Sequence, residues 1–363
     1  MSDVAEADAA DAAEAEAEAA EADAASAVHV ARREERRSPV PFAAIAFDLL
    51  TRLSPLVLLV SFLIVFSILK PAQFATWDNF SAILYASSVS AIIGLAMTVS
   101  FTAGEVDISV GAVMGVAAMF TAWAFGHGWP TVAAVAGALA VGAAIGLVNA
   151  VLIVVARLNS FITTLGMITA LGGVAYLIGD GKTLYEGIPA SFNHLVSKRI
   201  LNLPLVIFYT LALAVVLGYL ISRTPFGRRL RATGTGREAA ALIGVRTSRY
   251  ITISLVLGAT LAALAGVAQT AELQSANPSI GTDFLLNGVA AVFLGALVSR
   301  RGQLNVWGTL LAVVMLRVGL TGLTMVGAPA WVPNVFNGSA LLAALLISRA
   351  GSGGVPAGLG NLK

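Results

Sequence analysis

Cysteine is absent from the 363 residues, which excludes disulfides, thiolate metal sites and a thiol nucleophile. Histidine is scarce: His29, His127 and His194 are too few and too scattered to build a metal cluster. Charged residues make up only 12% of the chain against 58% hydrophobic ones, far from the composition of a soluble domain. A bilayer is therefore the natural solvent. The chain also lacks a Gly-x-x-x-x-Gly-Lys-Ser/Thr phosphate loop, and no nucleophile with its base can be assembled, so an intramembrane enzyme is set aside.

What charge there is lies unevenly. The net charge is +2, yet eleven of the twenty acids precede Pro39, which leaves the rest distinctly basic. The first 28 residues are almost wholly Ala, Glu and Asp, without the basic start and apolar centre of a signal peptide, and read as a disordered acidic tail. Arg32, Arg33, Arg36 and Arg37 follow as a juxtamembrane cluster suited to anionic lipid heads. Residues 1–48 thus form the tail, 49–350 a transmembrane domain and 351–363 a short terminal tail.

A hydrocarbon layer of about 30 Å asks for roughly 20 apolar residues per helix. Ten such runs occur: Leu53–Leu69, Ser81–Phe101, Val110–Gly126, Thr131–Ala156, Phe161–Gly179, Leu203–Ile221, Tyr250–Ala268, Leu285–Val298, Leu304–Leu323 and Val332–Ile347. The eighth is the shortest. The expected fold is an all-α membrane bundle of about ten helices, with small residues at four-residue spacing, such as Gly142 and Gly146, permitting close packing. Placing the N-terminus in the cytosol puts seventeen basic residues inside and four outside, with Arg317 inside the ninth run. The positive-inside rule then favours both termini in the cytosol of a bacterial plasma membrane.

Two hydrophilic interruptions carry the chemistry. Between the sixth and seventh runs, seven arginines and one acid surround Thr235–Gly244, where Thr235 and Glu238 have capping-box spacing and Gly244 can end a short helix. Such a helix either docks on a partner or lies on the lipid surface, and physics alone leaves the two readings equal. The second interruption, Gly104–Gly111, places Glu105 and Asp107 at a break between apolar runs. There Asp107 or Ser109 is expected to cap the third helix, a reading favoured over ion binding.

Three stretches together resemble the permease subunits of bacterial ABC importers, in the branch that carries ribose, xylose and similar monosaccharides. GEVDISVG, with Gly104, Glu105, Asp107, Ser109 and Gly111, is similar to that branch's signature; SFITTLGMITALGG, Ser160 to Gly173, is similar to a second segment. The arginine-rich loop is similar to the family's ATPase-coupling segment through Gly227, Arg228, Glu238, Ala239, Ala240 and Gly244, with Thr235 and Arg237 in the same stretch. The resemblance runs from about Leu53 to Ile347 and implies a type II-like importer fold with a short cytosolic coupling helix between the sixth and seventh spans. It implies a subunit without a cofactor of its own, ATP and Mg being bound by partner ATPase subunits. A second permease, identical or different, and an extracytoplasmic solute-binding protein complete the implied assembly. Arg300 and Arg301 depart from the family's glycine-rich turn, which weakens inference about the sugar. Rival readings are the same kind of permease for branched-chain amino acids or nucleosides, and an ion-coupled secondary transporter, which would need membrane-embedded acids.

Polar residues within the runs that could line a pathway are Asn149, Asn159, Gln269, Asn287, Arg317 and Asn337; each could equally make an interhelical hydrogen bond. Arg317 must either find a partner or water, or snorkel to the outer interface. Lys182, Lys198 and Arg199, in the longest outer segment, are candidates for docking a binding protein.

Overall fold

A computed structural model describes residues 42–299 and 303–352. The acidic tail, the Arg32–Arg37 cluster, Arg300 and Arg301, and the last eleven residues lie outside the described residues. Contacts divide the chain into Met1–Leu49, of which only the start of the first helix is described, and Leu50–Lys363, which holds the bundle.

Among the described residues the architecture is almost wholly helical, because apolar runs in lipid must satisfy their backbone groups internally. In chain order the helices are α1 Phe42–Leu69, α2 Pro71–Phe74, α3 Trp77–Thr102, α4 Val110–Gly126 and α5 Thr131–Ala150, which ends in a π turn over Val151–Val155. Then come α6 Ser160–Gly179, α7 Ala190–Ser197, a two-residue hairpin (β1 Arg199–Ile200, β2 Leu203–Pro204) and α8 Leu205–Arg223. The rest are α9 Pro225–Thr235, α10 Arg237–Leu242, α11 Thr247–Leu273, α12 Thr282–Leu297, α13 Val306–Met325 and α14 Val332–Ser352.

Six helices (α3, α5 with its π turn, α6, α8, α11 and α13) are long and apolar enough to cross a membrane. Shorter apolar helices coincide with the other four runs. Helix α11 is the centre of the bundle, packed against α3, α4 and α5. Its contact with α5 is close because Gly142 and Gly146 sit directly on Ala259, Ala263 and the Val256 backbone.

The shortness of α4 and α12 has a structural cause. At 17 and 16 residues they rise about 25 Å, less than the layer thickness. Each is preceded by non-helical chain, Gly104–Ser109 at the arginine-rich end and Gln274–Gly281 at the opposite end. The two helix starts meet inside the bundle: a β-carbon on Gly281 would overlap the Gly111 carbonyl, and one on Gly111 would lie 2.7 Å from the Gly281 oxygen.

The arginine-rich loop is two helices rather than the single one expected. Thr224 accepts from the Gly227 amide and caps α9, with Pro225 in the first turn. The expected capping box does not form. Thr235 is the last residue of α9 and its hydroxyl donates to the Arg231 carbonyl at 2.9 Å, while Gly236 caps α10 without a side chain. Thr235 carries a hydroxyl that reaches back one turn more readily than forward across the kink. The stop holds as expected: Gly244 is left-handed at φ 82°, and the amides of Gly244 and Val245 donate to Ala241 and Ala240, a Schellman closure.

Candidate functional site: the break before α4 and the helix pair beside it

Beyond Gly104 and Glu105, whose amides still bond to Phe101 and Ser100 of α3, the amides up to Ser109 make no helical hydrogen bonds and need other partners. Helix α6 supplies them. Ser160 Oγ accepts from the Val106 amide at 3.3 Å, and Thr164 Oγ1 accepts from the Ile108 amide at 3.4 Å and lies 3.1 Å from the Val106 carbonyl. The two similar segments of sequence are thus physically one unit. Ser160 and Thr164 lie in the Ser160–Gly173 segment that carried the resemblance but were not expected as site residues, although a polar pair at i, i+4 in an apolar helix was the available signal.

Asp107 is fully buried, and one carboxylate oxygen accepts from both the Ser109 amide at 2.9 Å and the Ser109 hydroxyl at 2.6 Å. Asn149 of α5 donates to the same hydroxyl at 2.9 Å. Ser109 does not cap α4 with its side chain, which makes no bond to the first-turn amides; Asp107 instead accepts from the Ser109 amide where the helix begins. Ser109 itself has helical backbone angles, which turns its hydroxyl toward Asp107 instead. The Asp107–Ser109–Asn149 chain ties the break to α5.

Gly104 is left-handed at φ 85°, and a β-carbon there would lie 2.9 Å from Gly234 Cα in α9. A residue with a side chain at Gly234 would in turn overlap the Thr102 carbonyl. Next to this backbone contact, Arg237 Nη1 of α10 meets Glu105 Oε1 at 3.5 Å. Burial pushes the Glu105 carboxyl above its ordinary range, and the Ser160 hydroxyl and Arg237 pull it back. Glu105 and Arg237 share an open pocket of about 430 Å³ with Arg157, Asn159, Ser160 and Ser248. Asn159 also caps α6 by accepting from the Ile162 amide.

Helices α9 and α10 are anchored on one side only. Gly227 lies against the Ile221 backbone, Leu230 and Ala240 are buried, and Arg229 donates to the Tyr250 hydroxyl at 3.1 Å. On the other side Arg228, Glu238 and Ala239 face outward, and Leu242 and Ile243 are 88% and 78% exposed. Those two apolar side chains at the end of a polar loop were also missed.

The pathway candidates do not form one set. Asn287, Arg317 and Asn337 do converge, with Ser90, Val313, Leu316 and Leu320, on a cavity of about 20 Å³, room for about one water. Arg317 donates to the Ala86 carbonyl at 2.9 Å and approaches the Ser90 hydroxyl at 3.4 Å, so it has found partners within the bundle. Asn149 and Asn159 belong to the opposite end, and Gln269 is buried in α11 without lining this cavity. Between α6 and α8, Lys182 pairs with Asp180 and Arg199 with Asp78, both exposed, while Lys198 is exposed at the end of α7. Asn193 ties α7 to the end of α11 by donating to the Ala271 carbonyl at 2.9 Å.

Among the described residues no cluster of His, Asp or Glu could hold a metal ion. No solved structure matches the chain. Residues 79–345 match the family described as branched-chain amino acid transport system / permease component. Among curated proteins, the chain is 32% identical to the ribose import permease protein RbsC of Escherichia coli K12 over 297 residues, 81% of this chain and 92% of that one. It is 30% identical to the Bacillus subtilis ribose import permease over 308 residues, 84% and 95% of the two chains. It is 27% identical to the Escherichia coli D-allose transport system permease protein AlsC over 286 residues, 78% and 87%. A match across nearly the whole bundle, taking in the break, the Ser160–Gly173 helix and the α9–α10 pair, makes this chain a member of that family of transport-system permease components.

Proposed function

We propose that the chain is the transmembrane permease subunit of an ATP-binding cassette importer that forms the path for a monosaccharide of the ribose or allose kind. In this reading all ten apolar helices cross the bacterial plasma membrane and both termini lie in the cytosol with the arginine-rich end. Partner ATPases bind ATP and Mg, a second permease lies alongside, and an extracytoplasmic solute-binding protein delivers the sugar to the outer segment. The sugar permeases among the relatives favour this solute over a branched-chain amino acid.

The observation that carries the reading is the outward face of α10. Leu242 and Ile243 stand almost bare on a short helix whose other face is locked to the bundle, a shape that suits a helix seated in a partner's groove. The Arg317 cavity has room for about one water, too little to hold a sugar in this conformation.

The test replaces Leu242 and Ile243 by Ser in a reconstituted complex of permease, ATPase and binding protein. Membrane insertion should be normal, while uptake and the stimulation of ATP hydrolysis by loaded binding protein fall by about tenfold or more. Full stimulation in the variant would make α10 a lipid-surface helix and remove it as the ATPase contact.

A further inference from the structure

The anchored side of α10 carries one charge that reaches into the bundle. Among the described residues, the ion pairs Lys182–Asp180 and Arg199–Asp78 are exposed on both partners, whereas Glu105 has a side chain only 8% exposed and Arg237 one 40% exposed. A carboxylate this little exposed is steadied by the few groups beside it, the Ser160 hydroxyl and Arg237. The pair also joins two elements 132 residues apart in sequence, a helix outside the apolar spans and the break inside them.

The break is itself a junction. Its backbone is held by Ser160 and Thr164 of α6, Asp107 and Ser109 link it to Asn149 of α5, and α4 starts from its last residue. A displacement of Glu105 along the line to Arg237 is therefore felt by three helices at once. The neighbouring contact between Gly104 and Gly234 is backbone against backbone and resists compression, but it offers nothing to pull on. Arg237 can pull, since an ion pair holds when the elements move apart.

We propose that Arg237 and Glu105 are the positioning pair that transmits movement of α10 to the Gly104–Ser109 break, so that the pair sets how much solute moves per ATP hydrolysed. The proposal rests on the reading of α10 as the ATPase contact. It adds a division of labour: Leu242 and Ile243 face the partner, and Arg237 faces the bundle. Arg157, a second cation lining the same pocket, has no ion pair with Glu105 among the described residues and serves as the control.

The experiment measures sugar uptake and ATP hydrolysis in the same proteoliposomes, using the complete complex carrying Glu105→Gln, Arg237→Gln or both. Glu105→Gln keeps the shape of the side chain without its charge, and Arg237→Gln leaves a shorter polar side chain, so assembly is checked by the amount of complex recovered. Each single variant should lower uptake per ATP by about tenfold, and the double variant should be no worse than the poorer single one. An unchanged ratio in the singles, or losses that multiply in the double, would overturn the pair. Arg157→Gln alone should leave the ratio within about twofold of the parent; a tenfold fall there would assign the role to Arg157 and overturn the proposal. If instead the Leu242 and Ile243 variant keeps full stimulated hydrolysis, the ATPase contact fails, and that result is read from hydrolysis alone, not from the ratio.

Discussion

The two interruptions in the bundle, Gly104–Ser109 and Gln274–Gly281, do the same geometric work with different chemistry. Each brings non-helical chain in from one end and starts a short helix where Gly111 faces Gly281. The first is held by side chains from α5, α6 and α10. The second is tied to another segment by backbone, through the paired Leu184 and Ala276 amides and carbonyls at 2.8 Å, while its side-chain bonds, such as Asn277 accepting from the Ser279 amide at 3.1 Å, stay local. A side-chain cradle can be retuned one contact at a time, whereas a backbone bridge ties the second break rigidly to the segment that contains Lys182. In the proposed transporter the adjustable break faces the ATPase and the rigid one faces the binding protein.

The largest expected effect comes from the point the two breaks share. Gly281→Val should destroy packing at both helix starts and cost more than about 3 kcal/mol, seen as loss of recoverable folded protein in detergent. Gly128→Ala, at a left-handed turn with nothing within 4 Å, should cost about 1 kcal/mol and leave yield near normal. Equal yields would mean that the Gly111–Gly281 contact is loose.

Next is the side-chain cradle. Asp107→Asn keeps an acceptor for the Ser109 amide and hydroxyl, and should give partial transport at near-normal expression. Asp107→Leu strips partners from Ser109 and should fail to assemble, at a cost of about 1 to 3 kcal/mol for each polar group left unpaired. Complete loss of transport in both variants at full expression would require the charge itself.

Smaller effects separate the observed cap from the expected one. Thr224→Ala removes the α9 cap and should lower the midpoint of thermal unfolding by an amount corresponding to about 1 kcal/mol. Thr235→Ala, whose hydroxyl only bonds back to Arg231, should change it by less than about 0.5 kcal/mol. The reverse order would restore the capping box. Smallest is the outer face: reversing Lys182, Lys198 and Arg199 to Glu should weaken binding-protein association chiefly at low ionic strength, because exposed charges act through steering and are screened by salt. Unchanged association at low salt would remove the outer charges from docking.

The sequence by itself determined the places of the apolar helices, since twenty consecutive apolar residues have only one way to satisfy their backbone in lipid. It also determined that the α9–α10 region stands apart from them and that Gly244 ends α10, because a left-handed residue at a helix stop is a local demand that glycine meets. It marked Glu105 and Asp107 as unusual without saying what they touch. Only the tertiary structure decided that Asp107 bonds to Ser109, that Thr235 turns back to Arg231, that Asn287, Arg317 and Asn337 share a cavity while Asn149 and Asn159 lie elsewhere, and that Arg237 reaches Glu105. The reason is one of range. Caps, stops and helix periods are written within a turn or two of chain, whereas Val106 with Ser160, Glu105 with Arg237 and Ala86 with Arg317 are 54, 132 and 231 residues apart. Their pairing is fixed by how helices pack, which no local pattern of residues records.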